Sequence, residues 1–360
     1  MKAIILVGGE GTRMRPLTLH TPKPLLPIAN IPFIERQIKW LARHGIDDVT
    51  LSLGYLPDAF EEYFHENPIE GIRIDYAVES KPLGTAGAVK YAAKECTEDF
   101  VVCNGDVLTD LNITELVAFH DSRSSMATLA LTYVEDPSAF GVVPTREDGE
   151  VIAFVEKPPR ESAPSHWINA GIYVLSPDFL ELIPDDINVS IERETFPLVL
   201  RQGSMYALES DAYWLDIGTP QQYLLAHSDY LKDPMRFGRD DKFREVIPGL
   251  LSDGEVSLGA NVRIESLSIA GGGSIIGDDC VLSAATLGQR CVLENNVILS
   301  DSVLMAGVKV GSRSQLTSSI VGEASDIGSD VELNDHTLIG AHEKIAPSTQ
   351  LRGERIGSVV

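Results

Sequence analysis

The residues best suited to do chemistry lie between Gly8 and Pro27, in the string GGEGTRMRPLTLHTPKPLLP. This stretch combines three glycines with the positive side chains of Arg13 and Lys23. Glycine lets the backbone approach an anion closely and present its N–H groups, and a cation can neutralise charge that grows in a transition state. The composition of the loop therefore predicts phosphate binding, although an ordinary strand-to-loop turn also uses glycines.

Two well-known phosphate-binding loops are excluded by the spacing. The Walker loop requires Gly, four residues and then Gly-Lys-Ser/Thr, and no such string occurs in the chain. The dinucleotide fingerprint GxGxxG fails because Met14 stands where the third glycine is required. The loop is therefore of a third kind.

A carboxylate at the end of a buried strand is the first candidate metal ligand. Asp106 follows the apolar run 100–103, which is typical of a short buried strand. Ligands of open α/β sheets bind beyond the carboxyl ends of the strands, so this carboxylate is well sited to hold a hard cation such as Mg²⁺. An Asx turn is the alternative interpretation. The neighbouring Asp110 is expected to cap the helix that begins near Ile113.

The string GxGTRxRPLT followed by PKPLLP resembles the signature of the sugar-1-phosphate nucleotidyltransferases, which join a nucleoside triphosphate to a sugar 1-phosphate. Five later strings resemble further motifs of this family in the same order: PLGTAGA, FGVV, FVEKP, NAGIYV and WLDIGTP. The resemblance implies that a phosphate oxygen of the sugar 1-phosphate attacks the α-phosphorus of the triphosphate and that pyrophosphate leaves. Residues 1–232 resemble the family closely, whereas the remainder resembles it only in the type of domain.

The resemblance also implies roles for individual residues. The expected catalytic residues are Arg13, Lys23, Asp106 and Asp216, of which the two aspartates would hold Mg²⁺. The nucleotide is expected to contact Leu6, Gly8, Gly9, Gly11, Thr12, Arg13, Glu79, Pro82, Gly84, Thr85 and Gly105. The sugar phosphate is expected to contact Gly141, Glu156, Lys157, Asn169 and Gly171.

Each of these motifs also has a plain structural interpretation. The turn at PLGTAGA could simply cap a helix, and a Glu-Lys pair at a strand end is usually solvated. The glycines at 141 and 171 could mark β-bulges rather than the close approach of a ligand. Asp216 could belong to a helix-entry turn with a packed Trp214.

Within the family, the sequence is most similar to the members that make GDP-mannose from GTP and mannose 1-phosphate. Uridylyl- and thymidylyltransferases acting on glucose 1-phosphate share nearly all of these motifs and remain the first alternative. The second is a non-catalytic regulatory or scaffold subunit of the same architecture. Such a subunit would be expected to lose charged catalytic positions, whereas all of them are present here.

Composition limits the partners. The net charge of −24 arises from 53 acidic and 29 basic residues, which argues against nucleic acid or an anionic membrane. A local basic patch around the first loop, opposed there only by Glu10, suits a small polyanion. The four cysteines form no CxxC pair, which favours free thiols and a reducing compartment, by default the cytoplasm. No signal peptide or transmembrane stretch is recognisable.

Strands and helices must alternate to position these residues. Strands are predicted at 3–7, 49–53, 72–78 and 100–103, and helices begin near Pro32, Pro57 and Ala88. Further strands are predicted at 126–133, 140–144, 151–156, 167–175 and 205–208, with helices at 190–201 and after Thr219. The sequence therefore predicts an α/β fold with a Rossmann-like mixed, mainly parallel sheet.

The C-terminal part shows a different period. Apolar residues recur every six positions, as in Ile269, Ile275, Val281 and Leu287, which indicates a left-handed parallel β-helix. The predicted domains are catalytic (1–232), linker (233–250), β-helix (251–345) and tail (346–360). The β-helix is expected to form a homo-oligomer, because a short solenoid has apolar end faces. An acyltransferase role through His336 or His342 is disfavoured, since neither has a recognisable partner.

Overall fold

The chain folds into two compact units in this computed structural model, which describes residues 1–238 and 242–357. Unit 1 comprises residues 1–9 and 34–215, and unit 2 comprises residues 10–33 and 216–360. The chain therefore passes between the units after Gly9, Phe33 and Leu215. The sequence-based domain limits remain a prediction, and parts of the predicted linker (239–241) and tail (358–360) lie outside the described residues.

Unit 1 is built on a nine-stranded mixed sheet of order β10-β9-β11-β6-β1-β4-β5, to which β8 and β12 are joined through β11. The strands up to Asp216 are β1 (Lys2–Leu6), β2 (Pro27–Ile28), β3 (Ile31–Pro32), β4 (Asp48–Leu53), β5 (Arg73–Val78), β6 (Phe100–Asn104), β7 (Val107–Thr109), β8 (Ala127–Tyr133), β9 (Gly141–Val142), β10 (Val155–Glu156), β11 (Trp167–Leu175), β12 (Met205–Ser210) and β13 (Trp214–Asp216). The strands β6, β1, β4 and β5 are parallel, whereas β11 is antiparallel to β6 and β8. The predicted mixed sheet is confirmed.

Seven α-helices are present among the described residues. They are α1 (Phe33–Arg43), α2 (Pro57–Glu66), α3 (Gly84–Ala92), α4 (Ile113–Arg123), α5 (Asp178–Glu181), α6 (Phe196–Gln202) and α7 (Pro220–Lys232). Proline stands in the first turn of α2 and α7, where its fixed φ suits a helix and its missing N–H costs nothing. The predicted helices at these positions are therefore present.

Several local predictions are wrong. Helix α3 begins at Gly84 rather than Ala88, so the motif PLGTAGA includes the first turn of the helix. The strand predicted at 151–156 is reduced to β10 and one isolated bridge at Val151. Asp110 does not cap α4: Asn112 accepts the N–H of Glu115 there, and the carboxylate of Asp110 accepts the N–H of Tyr213 at 2.7 Å.

The part of unit 2 from 244 to 356 is a left-handed β-helix of three stacked sheets, with eight, six and six strands. Its strands are β14 (Arg244–Ile247), β15 (Leu250–Ser252), β16 (Ser257–Leu258), β17 (Arg263–Ile264), β18 (Ser268–Ala270), β19 (Ile275–Ile276), β20 (Val281–Ser283), β21 (Thr286–Leu287), β22 (Val292–Leu293), β23 (Ile298–Ser300), β24 (Val303–Leu304), β25 (Lys309–Val310), β26 (Gln315–Thr317), β27 (Ile320–Val321), β28 (Asp326–Ile327), β29 (Glu332–Asn334), β30 (Leu338–Ile339), β31 (Lys344–Ile345), β32 (Gln350–Arg352) and β33 (Arg355–Ile356). The eight-stranded face has the order β14-β15-β18-β21-β24-β27-β30-β33. The predicted β-helix is confirmed.

The predicted six-residue register is off by one at Ile275, whereas the other predicted positions, Ile269, Val281 and Leu287, are buried. Ile276 is fully buried in the core of the β-helix, whereas the predicted Ile275 is 49% exposed. Both positions of these short strands are apolar, so the sequence alone does not show which one points inward. Partners in successive coils lie 17 or 18 residues apart, as in the pairs Val281–Ile298 and Ile320–Leu338, and the shorter coils cause the slips in the repeat.

The cysteines agree with the prediction of free thiols. All four cysteines are free: three are buried and Cys96 is half-buried. Burial raises the pKa of the Cys291 thiol to about 12, which makes it inert at neutral pH. None of the helices in residues 1–238 and 242–357 has the length and apolar character needed to cross a membrane.

Candidate active site

The loop from residue 10 to residue 33, here called the signature segment, belongs to unit 2. It contains three single 3₁₀ turns, and Gly11 precedes the first with a φ of +60°. A Cβ atom on Gly11 would lie 3.0 Å from Cβ of Lys23, and the Thr18 hydroxyl donates to the Gly11 carbonyl at 2.8 Å. Only glycine therefore lets the half-buried Lys23 lie against the turn that carries Thr12 and Arg13.

Arg13 packs against Gly218, in the part of the motif WLDIGTP that belongs to the same unit. A Cβ atom on Gly218 would lie 2.7 Å from Nη2 of Arg13, so the glycine makes room for the guanidinium. The turn continues into α7, where the Thr219 side chain accepts the N–H of Gln222 at 3.3 Å. Asp216 stands just before this glycine. Unit 2 thus brings Arg13 and the Asp216 turn together.

The glycines after β1 provide open backbone in unit 1. No atom lies within 4 Å of a Cβ placed on Gly9, and Gly8 faces the backbone of Gly54 at 3.5 Å. Leu6 lies directly upstream, at the carboxyl end of β1. This geometry matches a backbone surface that an anion can approach.

The predicted base-binding loop is anchored at both ends. The carboxylate of Glu79 accepts the N–H of Leu83 at 2.9 Å and the hydroxyl of Ser52 at 3.3 Å. Farther along, the Thr85 hydroxyl accepts the N–H of Ile191 at 2.8 Å and donates to Glu192 at 3.1 Å.

The rest of this loop also packs on residues 188–192. The carbonyl of Pro82 accepts an N–H of the Asn188 side-chain amide at 3.2 Å. A Cβ atom on Gly84 would clash with the Val189 carbonyl oxygen at 2.5 Å. Thr85 and Gly84 therefore hold the loop in place, and their contact with a nucleotide remains a prediction.

Gly105 determines where Asp106 lies. Its N–H donates to the Leu6 carbonyl at 2.9 Å, and a Cβ atom there would lie 2.4 Å from Cγ1 of Val7. The close approach places Asp106 in the turn that follows β6, at the carboxyl end of the central parallel strands. Asp106 is half-buried there, which suits a carboxylate that holds a cation and still meets a ligand.

Three predicted sugar-site residues lie together. Glu156 pairs in register with Gly141, and Nζ of Lys157 lies 3.6 Å from Oε1 of Glu156. A Cβ atom on Gly141 would lie 3.2 Å from Oε2 of the same carboxylate. The carboxylate and the ammonium group therefore form one polar surface, and the ring of Phe154 packs on the glycine, 2.6 Å from a Cβ atom placed there.

Asn169 and Gly171 form a β-bulge in strand β11. The Asn169 side chain accepts the N–H of Gly171 at 3.0 Å and donates to the hydroxyl of Tyr173 at 2.8 Å. Gly171 has a φ of +73°, and a Cβ there would lie 2.5 Å from the side chain of Asn104. The bulge expected as an alternative is present, and the amide of Asn169 keeps a second N–H that a ligand can use.

Sequence reasoning missed the contacts that support these groups. Gln37 is buried in α1 and donates to the Asn104 carbonyl at 2.8 Å. The indole N–H of Trp214 donates to the Ala170 carbonyl at 2.9 Å, next to the bulge. Both are long-range contacts to main-chain groups, and no local pattern in the sequence marks them.

No group of three or more His, Cys, Asp or Glu residues capable of holding a metal occurs in the described part of the chain. Asp106 belongs to unit 1 and Asp216 to unit 2, and their role as metal ligands remains a prediction.

Family models match most of the chain. Residues 2–233 match the nucleotidyl transferase model, and residues 250–351 match the model of the EIF2B subunit epsilon LbH domain.

Curated relatives are similar over nearly the whole length. The chain is 37% identical to mannose-1-phosphate guanylyltransferase 1 of Arabidopsis thaliana, over 94% of this chain and 91% of the relative. It is 36% identical to mannose-1-phosphate guanylyltransferase of Mycobacterium tuberculosis, over 85% and 81%. Among solved structures, HddC from Yersinia pseudotuberculosis complexed with GMP-PN has a TM-score of 0.55 and 30% identity, over 64% of this chain and 99% of that one.

Proposed function

The chain belongs to the nucleotidyl transferase family, and from that premise we propose that it transfers the guanylyl group of GTP to mannose 1-phosphate, giving GDP-mannose and pyrophosphate. The observation that carries this proposal is the similarity to mannose-1-phosphate guanylyltransferases, which extends through both the catalytic part and the β-helix. The likeness to HddC complexed with GMP-PN agrees with the choice of base.

The proposed mechanism is an in-line displacement at the α-phosphate, which needs positioning and charge neutralisation rather than covalent chemistry. Arg13 and Lys23 neutralise the charge on the pyrophosphate and the α-phosphate. Their arrangement supports these roles, because Gly11 and Gly218 fix the two cations against the backbone of unit 2. The open backbone at Gly8 and Gly9 receives the phosphates.

The sugar 1-phosphate is proposed to bind at the polar surface formed by Glu156 and Lys157. The Glu156 carboxylate accepts hydrogen bonds from sugar hydroxyls, and the Lys157 ammonium group anchors the phosphate. Asn169 donates its second amide N–H to the ring. Gly141 and Gly171 let Phe154 and Asn104 pack against the backbone, because a Cβ atom at either glycine would lie only 2.6 or 2.5 Å from these side chains. The proposed contact of both glycines with the sugar rests on the family motifs.

Members of this family generally use a divalent metal, and we propose Mg²⁺ here. The donor chemistry fits, because aspartate oxygens are hard ligands and Asp106 is half-buried at a strand end. Asp106 and Asp216 would hold the ion, which when bound neutralises phosphate charge and orients the triphosphate.

Assembly and location also remain proposals. A homo-oligomer formed through the β-helix agrees with the apolar ends of a short solenoid. A reducing compartment such as the cytoplasm agrees with the four free cysteines.

Glucose-1-phosphate thymidylyl or uridylyl transfer is the alternative that a specific observation supports. A putative glucose-1-phosphate thymidylyltransferase from Bacillus anthracis is 26% identical over 68% of this chain, with a TM-score of 0.58.

Pyrophosphate release with Mg²⁺ tests the proposal when GTP, dTTP, UTP, ATP and CTP are each combined with mannose 1-phosphate and glucose 1-phosphate. We expect turnover with GTP and mannose 1-phosphate. A preference for dTTP or UTP with glucose 1-phosphate would change the assigned substrates and keep the chain in the same family. The absence of pyrophosphate release with every combination would favour a non-catalytic subunit.

A further inference from the structure

The signature segment packs along the eight-stranded face of the β-helix, and both belong to unit 2. At one end, the side chain of Asn30 donates to the Leu287 carbonyl of β21 at 2.7 Å. The buried His227 of α7 joins the same two elements: Nε2 lies 3.0 Å from the Pro27 carbonyl, and Nδ1 lies 3.1 Å from the Thr286 hydroxyl.

The other end of the segment is held by the last coil, which contains β31, β32 and β33. Nη1 of Arg355 donates to the carbonyl of Arg13 at 2.8 Å and lies 3.3 Å from the carbonyl of Arg15. Gly357 packs on Pro16 so closely that a Cβ atom there would lie 2.5 Å from Cβ of the proline.

These two attachments are far apart on one rigid surface. Four strand spacings separate β21 from β33 on the eight-stranded face. At ~4.8 Å for each spacing, the segment is fixed across roughly 19 Å. Because every strand of this face is hydrogen-bonded to the next, the face can hold the segment at both ends without bending.

We propose that the β-helix is part of the catalytic apparatus and that Arg355 is a positioning residue for the phosphate-binding loop. Its guanidinium group fixes the backbone of Arg13, whose own guanidinium lies against Gly218. Arg13 is thereby held at both its main chain and its side chain. This inference rests on the proposed function, since it assigns Arg13 to the phosphates.

The planar fork of arginine suits this position. Both carbonyls accept from Nη1, whose two N–H groups point in fixed directions in the guanidinium plane, whereas a lysine ammonium group is a point charge on a flexible stem. The substitution Arg355→Lys therefore distinguishes a positioning role from a purely electrostatic one, because it keeps the positive charge and changes the hydrogen-bond geometry.

The test compares Arg355→Ala and Arg355→Lys with the matched control Arg352→Ala. Arg352 lies in the same coil, but its guanidinium pairs with Asp335 at 3.2 Å. We expect Arg355→Ala to lower kcat by about tenfold or more, because a misplacement of ~1 Å can cost roughly a hundredfold. Arg355→Lys should recover only part of the loss, and the KM for sugar 1-phosphate should not change. Arg352→Ala should behave as wild type.

Hydrogen–deuterium exchange of the peptide covering residues 10–20 gives a readout that does not need activity. We expect faster exchange in Arg355→Ala than in wild type or Arg352→Ala, at equal melting temperature. Activity is assayed with whichever substrate pair the wild type turns over, so a different pair would correct the proposed function and leave this test intact. Unchanged exchange and unchanged kcat in Arg355→Ala, or equal effects in both alanine variants, would overturn the inference.

Discussion

Asp106 illustrates how much of the candidate site can be predicted from single residues. Its place at the carboxyl end of β6 follows from a buried apolar run and from the rule that ligands bind at that edge of a sheet. The close packing of Gly105 on Leu6 and Val7, which fixes the turn, joins residues almost a hundred positions apart. Such a contact leaves no local pattern in a sequence.

We expect Asp106→Ala to lose turnover by at least about a hundredfold while the fold is retained. A bound divalent ion stabilises developing charge by several kcal/mol, and each ~1.4 kcal/mol lost is a tenfold change in rate. Pyrophosphate release measures the loss, and circular dichroism measures the fold. The exposed Asp211 provides the control, since Asp211→Ala should keep normal activity. Near-normal turnover in Asp106→Ala would remove the metal assignment.

Helices α2 and α7 could be predicted at the element scale because their signals are local. The proline at the first position of both helices and the threonine cap of α7 lie within one turn of the helix that they start. The orientation of the β-helix strands could not be predicted in the same way. Where Ile275 and Ile276 are both apolar, only the stacking of coils decides which side chain enters the core.

The cap of α7 provides a prediction at this scale. The Thr219 hydroxyl accepts the N–H of Gln222 at 3.3 Å, and the Gln222 side chain accepts the N–H of Gly218 at 3.1 Å. Thr219→Ala should lower the free energy of unfolding by about 1 kcal/mol, because it removes the acceptor for a helix-terminal N–H. Urea denaturation measures the change.

Thr219→Ser is the matched control, because serine retains the hydroxyl and should restore most of the stability. Since Gly218 supports the side chain of Arg13, we expect the alanine variant also to turn over more slowly. Equal stability of the alanine and serine variants would show that the cap does not contribute.

At the scale of the whole molecule, the family match and the compact units divide the chain differently. The nucleotidyl transferase model ends at residue 233, whereas unit 2 combines residues 10–33 with everything from residue 216 onward. The order of the family motifs and the six-residue apolar period predict which domains are present. They carry no signal for the contact between Arg355 and Arg13, whose positions differ by 342 residues.

A chain truncated after Lys232 tests this division. It keeps every predicted catalytic residue but loses the partners of Asn30, His227 and the Arg13 carbonyl. We expect it to lose turnover by at least about tenfold, because the signature segment then lacks its supporting face. Size-exclusion chromatography checks that the truncated protein is not aggregated. A well-folded truncated protein with full activity would show that the β-helix serves assembly alone.

The contact made by Arg355 also has a consequence for biosynthesis. Arg13 leaves the ribosome 342 residues before Arg355. Chains are synthesised from the N-terminus at about 5–20 residues per second, so the loop waits for its anchor while those residues are translated. A nascent chain stalled before residue 355 would lack this anchor, which links phosphate-loop ordering to completion of the last coil.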